Sequence, residues 1–210
     1  WSTLSEVPVS HTTERIRRDV PVVARILSIA SFGDEIVVGG IFDRIAGTAA
    51  ENIAAWDGSR WRALGAGLTL RDPARDYDCV TSLAVMDGSL IAAGSFSESS
   101  PATPLANIAA WDGTRWHPLD SGLAGPVREV AMLSGSLYAI GYFGGVSDHG
   151  MPHTQLMCWG GQRWKSLDPL LSRDFEIAHV MPSSRGLVVS GYVKEGDRTD
   201  DRESVGIARG

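Results

Sequence analysis

The chain has 210 residues, a formal charge of −6, 43 % hydrophobic residues and 21 % charged residues. That balance excludes a wholly disordered chain, the acidity argues against a nucleic-acid partner, and no apolar run approaches the roughly 18 residues of a spanning helix. Two cysteines are too few for a disulfide scaffold, so a chain of this length is expected to stand on an ordinary hydrophobic core.

In chain order, Trp1-Ser2-Thr3-Leu4 reads as a short strand of the form Trp-x-x-Leu. Two apolar runs follow, Ile26 to Ile29 and Ile36 to Phe42, separated by Gly33-Asp34. Then come Asn52-Ile53-Ala54-Ala55-Trp56-Asp57-Gly58 and a second Trp-x-x-Leu from Trp61 to Leu64. The same order returns as Val80 to Val85, Asp87-Gly88 and Leu90 to Phe96. Next is Asn107-Ile108-Ala109-Ala110-Trp111-Asp112-Gly113, 55 residues after its first copy, with Trp116 to Leu119. A third round reads Val127 to Met132, Ser134-Gly135, Leu137 to Phe143, Leu156-Met157-Cys158-Trp159-Gly160-Gly161 and Trp164 to Leu167. The fourth has Ile177 to Met181, Ser184-Arg185 and Leu187 to Val193, and reaches Ile207-Ala208-Arg209-Gly210 in its third segment.

Short apolar runs rich in β-branched and aromatic residues, bounded by turn residues, are strands, and Asp-Gly between two of them is a strong hairpin signal. Asn-Ile-Ala-Ala-Trp has some helical propensity, but the Asp-Gly behind it and the Met-Cys-Trp of its third copy favour a strand. Each unit is therefore expected to hold four strands, a to d, in a meander. A repeating four-stranded meander is the signature of an all-β fold, a β-propeller with four four-stranded blade repeats. The units cover about 20–68, 78–123, 124–171 and 175–210 with 1–4, in a single domain spanning 1–210. Residues 1–4 supply the strand d that the fourth unit lacks. This fits either a closed four-bladed ring or an excerpt of a larger propeller. In a hairpin turning at Gly58-Ser59, Trp56 faces Trp61; Trp111 with Trp116 and Trp159 with Trp164 follow the same rule, and these pairs are expected to pack between neighbouring blades. Gly40, Gly94, Gly141 and Gly191 close strand b in each unit.

This pattern resembles kelch-type repeats of galactose-oxidase-like propellers. It is more closely similar to the repeats of bacterial surface proteins and of Rax2-type fungal cortical markers, which read Gly-Gly-x-Phe, Ile-Ala-x-Trp-Asp-Gly and Trp-x-x-Leu. The likeness covers nearly the whole chain. Only Gly39-Gly40 keeps the glycine doublet, where the later units have Ala93-Gly94, Ile140-Gly141 and Ser190-Gly191. The resemblance implies a propeller in an extracellular or cell-envelope protein. It carries no activity with it, because the matching residues are structural. The Tyr, His and Cys arrangement of a copper-radical site has no counterpart here.

The a–b and c–d turns are short and share one end of the sheets. The b–c loops, 43–51, 97–106, 144–155 and 194–203, and the d–a loops, 65–78 and 168–175, share the other end and differ from unit to unit. Variable loops on a rigid scaffold are where binding concentrates. Asp43, Arg44, Arg71, Asp72, Arg75, Asp148, His149 and His153 are the candidate ligand-binding residues. His149-x-x-x-His153 beside Asp148 has zinc-ligand chemistry, but its Gly and Pro oppose helical placement, so solvated histidines are expected and no metal or cofactor is assigned. The charged run 194–203 lacks the order of a calcium loop and is expected to be a solvated loop. Arg60, Arg115 and Arg163 read either as an anion-binding ring or as local partners of Asp57 and Asp112, the second being expected. Cys79 and Cys158 are expected as free thiols in strands. No nucleophile stands beside a base. The expected function is thus a non-catalytic binding module for a protein or glycan, without nucleic-acid binding or membrane insertion. The alternatives are a propeller lyase or hydrolase with paired carboxylates such as Asp43, Asp148 and Asp168, and an inert spacer.

Overall fold

The computed structural model describes residues 8–10, 16–17, 20–21, 24–69, 79–99, 103–144, 154–167, 175–195 and 198–208. All regular structure among them is β. Sheet I consists of strands a to d at Arg25–Phe32, Glu35–Ile41, Ile53–Trp56 and Trp61–Ala63. Sheet II has Cys79–Met86, Ser89–Ser95, Ile108–Trp111 and Trp116–Pro118. Sheet III has Val127–Leu133, Ser136–Gly141, Gln155–Trp159 and Trp164–Ser166. Sheet IV has a to c at Phe175–Ser183, Gly186–Glu195 and Arg198–Ala208. Within each sheet every strand pairs antiparallel with its neighbour in sequence. The proposed strand at 1–4 lies outside the described residues.

The a–b turns fall where the sequence places them, each with two residues between the last paired positions. Asp87-Gly88 and Ser134-Gly135 have positive φ at both residues, the turn geometry that matches strand twist. The tryptophan register also holds: Trp56 pairs with Trp61, Trp111 with Trp116 and Trp159 with Trp164. Their ring centroids lie 5.4, 5.2 and 5.3 Å apart, tilted.

Successive sheets lie face to face. Val37, Ile53 and Ala55 of sheet I pack with Leu90, Ala92 and Trp111 of sheet II. Ile91, Ala93 and Ile108 of sheet II pack with Val130, Leu137 and Ala139 of sheet III. Ala131, Ile140 and Leu156 of sheet III pack with Val180, Leu187 and Val189 of sheet IV. Neighbouring residues of one strand thus serve opposite interfaces, which is why these strands read as continuous apolar runs and not as alternating ones. Trp111 and Trp116 face sheet I, and the Trp116 indole N–H donates to the Leu64 carbonyl at 3.1 Å. Trp164 repeats the contact on Leu119 at 3.4 Å.

Each strand a carries a β-bulge at the same place, between Ile26 and Ser28, Val80 and Ser82, Val127 and Glu129, and Ile177 and His179. Opposite the residue before each bulge stands one glycine of strand b: Gly40, Gly94, Gly141 and Gly191. A Cβ on Gly40, Gly94 or Gly141 would lie 2.1, 2.0 or 2.3 Å from the carbonyl oxygen of Arg25, Cys79 or Pro126. This is why the second glycine of the doublet persists while the first becomes Ala93 or Ile140, which fill the next interface.

The bulges also join the sheets. The side chain after the bulge accepts an N–H from the next sheet: Ser28 from Leu83 at 3.0 Å, Ser82 from Val130 at 3.1 Å, Glu129 from Val180 at 3.1 Å. The bulged residue donates to the next sheet, Thr81 Oγ1 to the Val127 carbonyl at 2.7 Å and an Arg128 guanidinium nitrogen to that of Ile177 at 3.3 Å.

Three expected loops are corrected. Segment 43–51 contains a hairpin, Arg44–Ile45 with Thr48–Ala49, flanked by Val9–Ser10. Ala46 and Gly47 both have positive φ and form its turn, a signal hidden in the sequence by Ala in place of Asn or Asp. Segment 194–203 is largely strand, with Lys194 paired to Thr199 and Glu195 to Arg198. A run of charges does not prevent backbone pairing, because the ladder bonds join main-chain groups that every residue here carries. Loop 97–106 likewise holds a short hairpin, Glu98–Ser99 with Thr103–Pro104.

Candidate functional site

At the end of the sheets that carries the c–d turns, the recurring polar residues satisfy their own backbone. Asp57 accepts hydrogen bonds from the Ser59 hydroxyl at 2.7 Å and from the Ser59 and Arg60 N–H groups at 2.8 and 2.9 Å. Asp112 does the same for Thr114 and Arg115, with His117 Nε2 beside its second oxygen. These donors, the Ser59 and Thr114 hydroxyls foremost, hold both carboxyls well below the usual carboxylate range. Arg60 lies 3.3 Å and Arg115 3.9 Å from the Asp of its own turn, so both are local partners of an aspartate. In the third copy, with Gly160 in the Asp place, only the backbone bond from Gly160 N–H to the Arg163 carbonyl remains of that set.

At the opposite end, the b–c connections are tied down by one side chain each. Asn52 adopts a φ of 63°, accepts the Phe42 N–H at 3.1 Å and donates to the Leu68 carbonyl at 2.8 Å. Asn107 repeats the φ of 63° and donates to the Leu123 carbonyl at 2.8 Å. Asparagine is one of the few side chains that tolerate this region and can hydrogen-bond from it. Sheet III uses Thr154, whose hydroxyl accepts the Ile177 N–H at 2.6 Å.

Of the predicted binding residues, Asp43 is buried, its N–H on the Ser10 carbonyl at 3.1 Å and its carbonyl accepting the Ala50 N–H at 2.9 Å. Arg44 donates to the Gly47 carbonyl of its own hairpin turn at 2.6 Å. Arg71, Asp72, Arg75, Asp148, His149 and His153 lie outside the described residues, as does Asp168. Among the described residues no group of three or more His, Cys, Asp or Glu could hold a metal ion. Cys79 is buried, which pushes its thiol up, and Cys158 is half-buried; both are free.

A groove of about 950 Å³ runs along the first strands of sheets II, III and IV, lined by residues including Val85, Glu129, Met132, His179 and Met181. In it the His179 imidazole Nδ1 stands 3.4 Å from Glu129 Oε2, the oxygen that also accepts the Val180 N–H. The arrangement offers an apolar wall with one imidazole and one carboxylate. Reading the sequence did not find it. Its signal is positional: Ser28, Ser82, Glu129 and His179 are the polar residues one step past each bulge.

No protein-family model, no curated protein and no solved structure matches the chain.

Proposed function

We propose that the four sheets are blades of a kelch-like β-propeller and that the chain is a non-catalytic binding module for a protein or glycan surface. One observation carries this reading. The c–d turns of sheets I and II share one set of hydrogen bonds and the inter-sheet joints recur at one position past each bulge, whereas the b–c connections at the other end, though two of them share an asparagine anchor, differ in secondary structure. The first is a two-residue-turn hairpin backed by Val9–Ser10, the second a separate short hairpin, and the fourth a long extension of strands b and c. Recurring joints make a rigid frame, and variation concentrated at one end of it is the pattern of a recognition surface. The face-to-face order of sheets I to IV and their bulge-mediated joints support the blade reading.

The test selects ligands from a glycan array and a displayed peptide library, then replaces residues 97–106 and 144–155 with Gly-Ser segments of equal length. Loss of binding with an unchanged far-UV spectrum is expected. Binding that survives both replacements overturns the proposal.

A further inference from the structure

We infer that the c–d turn of sheet III, residues 160–163 together with Lys165, is a receptor for a carboxylate from outside the chain, the side chain of an acidic peptide. The two turns that carry a carboxylate of their own show what such a turn holds. In sheet I, Asp57 Oδ1 accepts the Ser59 and Arg60 N–H groups at 2.8 and 2.9 Å, and Oδ2 accepts from Arg60 Nε at 3.3 Å. In sheet II, Asp112 Oδ1 accepts the Thr114 and Arg115 N–H groups at 2.7 and 2.9 Å. Its Oδ2 lies 3.9 Å from Arg115 Nε and 2.5 Å from His117 Nε2. Two backbone donors and the basic side chains of strand d thus converge on one carboxylate in each turn.

Sheet III keeps these donors but has Gly160 in the Asp place. Its hairpin has the same register, with Trp159 opposite Trp164 as Trp56 is opposite Trp61 and Trp111 opposite Trp116. The Gly160 N–H donates to the Arg163 carbonyl at 3.1 Å, as Asp57 and Asp112 donate to Arg60 and Arg115 at 3.3 and 3.2 Å. Gly161 has a φ of 86°, close to the 96° and 98° of Gly58 and Gly113. The two backbone donors therefore fall at Gln162 and Arg163, and Lys165 holds the register place of His117. Among the described residues no group accepts the N–H of Gln162 or Arg163, and neither the Arg163 guanidinium nor the Lys165 ammonium has an ion-pair partner. Sheet I balances Arg62, at the place of Lys165, with Glu35, whose Oε1 is 2.7 Å from Arg62 Nε. Sheet III has Ser136 where Glu35 stands. Gln162, Arg163 and Lys165 are all exposed, and Arg163 and Lys165, two residues apart, share one side of their strand. In a chain of net charge −6 this is a local reversal of sign.

The donor set favours an ionised carboxylate, because in sheets I and II it holds Asp57 and Asp112 well below the usual carboxylate range. Hydrogen bonds from backbone N–H groups and a guanidinium to a charged oxygen are the stronger kind, and successive N–H groups in a turn form a concavity suited to an anion. Both aspartates carry the group on a single methylene, and their side chains are only 31 and 37 % exposed, so the turn encloses most of the group. A carboxylate on a slender stem fits that enclosure. The aspartate side chain of a peptide has such a stem, whereas a uronate carries its carboxylate on a ring carbon. Every residue involved belongs to sheet III, at the end opposite the b–c loops, so this site and the loop-binding reading fail independently.

Amide chemical shifts of the whole chain, followed while the tripeptide acetyl-Gly-Asp-Gly-amide is added, test the inference. The Gln162 and Arg163 resonances are expected to move along a saturable curve. Those of Ser59, Arg60, Thr114 and Arg115, held by their own aspartates, are expected to stay in place. Gly160→Asp supplies the carboxylate from within and is expected to abolish the response. Gly160 lies outside the positive-φ region and a Cβ there would meet only the Arg163 carbonyl, at 3.7 Å, so this variant keeps the turn. Arg163→Ala is expected to weaken binding about 2- to 10-fold, the worth of one hydrogen bond, and Lys165→Ala to reduce its dependence on salt. A response that Gly160→Asp leaves intact overturns the site, and so does equal movement in all three turns or none in any. Saturable movement with glucuronate but not with the tripeptide overturns the peptide occupant in favour of an acidic glycan.

Discussion

The Ser82 hydroxyl of sheet II accepts the Val130 N–H of sheet III at 3.1 Å, in a buried setting. Ser82→Ala removes the acceptor and leaves that N–H without a partner, which costs about 1–3 kcal/mol. The urea midpoint should fall, and the Val130 amide should exchange faster than its neighbours in strand a. An unchanged Val130 exchange rate would show that the bond does not hold the sheets together.

The glycine opposite each bulge is there to let a carbonyl pass. Gly94→Ala sets a methyl 2.0 Å from the Cys79 carbonyl, on backbone that cannot rotate away. A loss of about 1–3 kcal/mol or more is expected, read as a drop in melting temperature. Gly160→Ala is the control, since its Cβ would meet only the Arg163 carbonyl, at 3.7 Å, and the site is exposed. It should stay within about 0.5 kcal/mol of the parent.

Asn52 combines a left-handed backbone with two side-chain hydrogen bonds. Asn52→Gly and Asn52→Ala both lose the bonds, but only alanine also pays about 1–2 kcal/mol for its Cβ in that region. Chemical unfolding should therefore rank parent, glycine, then alanine. An alanine variant as stable as the glycine one would show that side-chain bonding alone explains the residue.

Acid stability should depend on the two turn aspartates. Both carboxyls titrate below their unfolded value of about 3.9, so their contribution is complete above that pH and is lost as the pH falls below it. Both are exposed, so salt should weaken the effect. A variant carrying Asp57→Asn and Asp112→Asn should lose less stability than the parent between about pH 4 and pH 2. Parallel unfolding curves for the two proteins across that interval would contradict this.

The parts of the fold that the sequence revealed are those written in repeated, local signals. Asp-Gly turns and Trp spacing fixed the hairpins and their register, because a two-residue turn leaves only one way to pair its flanks. The bulges stayed hidden, since one extra residue in an apolar run such as Ile177 to Met181 alters neither composition nor length visibly. With them went the joints, and with the joints the meeting of Glu129 and His179, whose partners lie about fifty residues apart. Asp43 and Arg44 read as loop residues because they stand between two apolar runs on the variable end of the sheets. The backbone bonds of Asp43 and the turn contact of Arg44 depend on a hairpin whose Ala46-Gly47 turn lacks the usual residue chemistry.

Because every strand in these sheets pairs with its sequence neighbour, no hairpin has to wait for a distant partner. The joints reach further, 55 residues from Ser28 to Leu83 and 48 from Ser82 to Val130, yet each asks only for the sheet just completed. Short closure distances favour rapid pairing, and a chain emerging from the ribosome presents these meanders one at a time. Synthesis can therefore proceed as a zipper, with each newly formed bulge offering its side chains to the strand that emerges next.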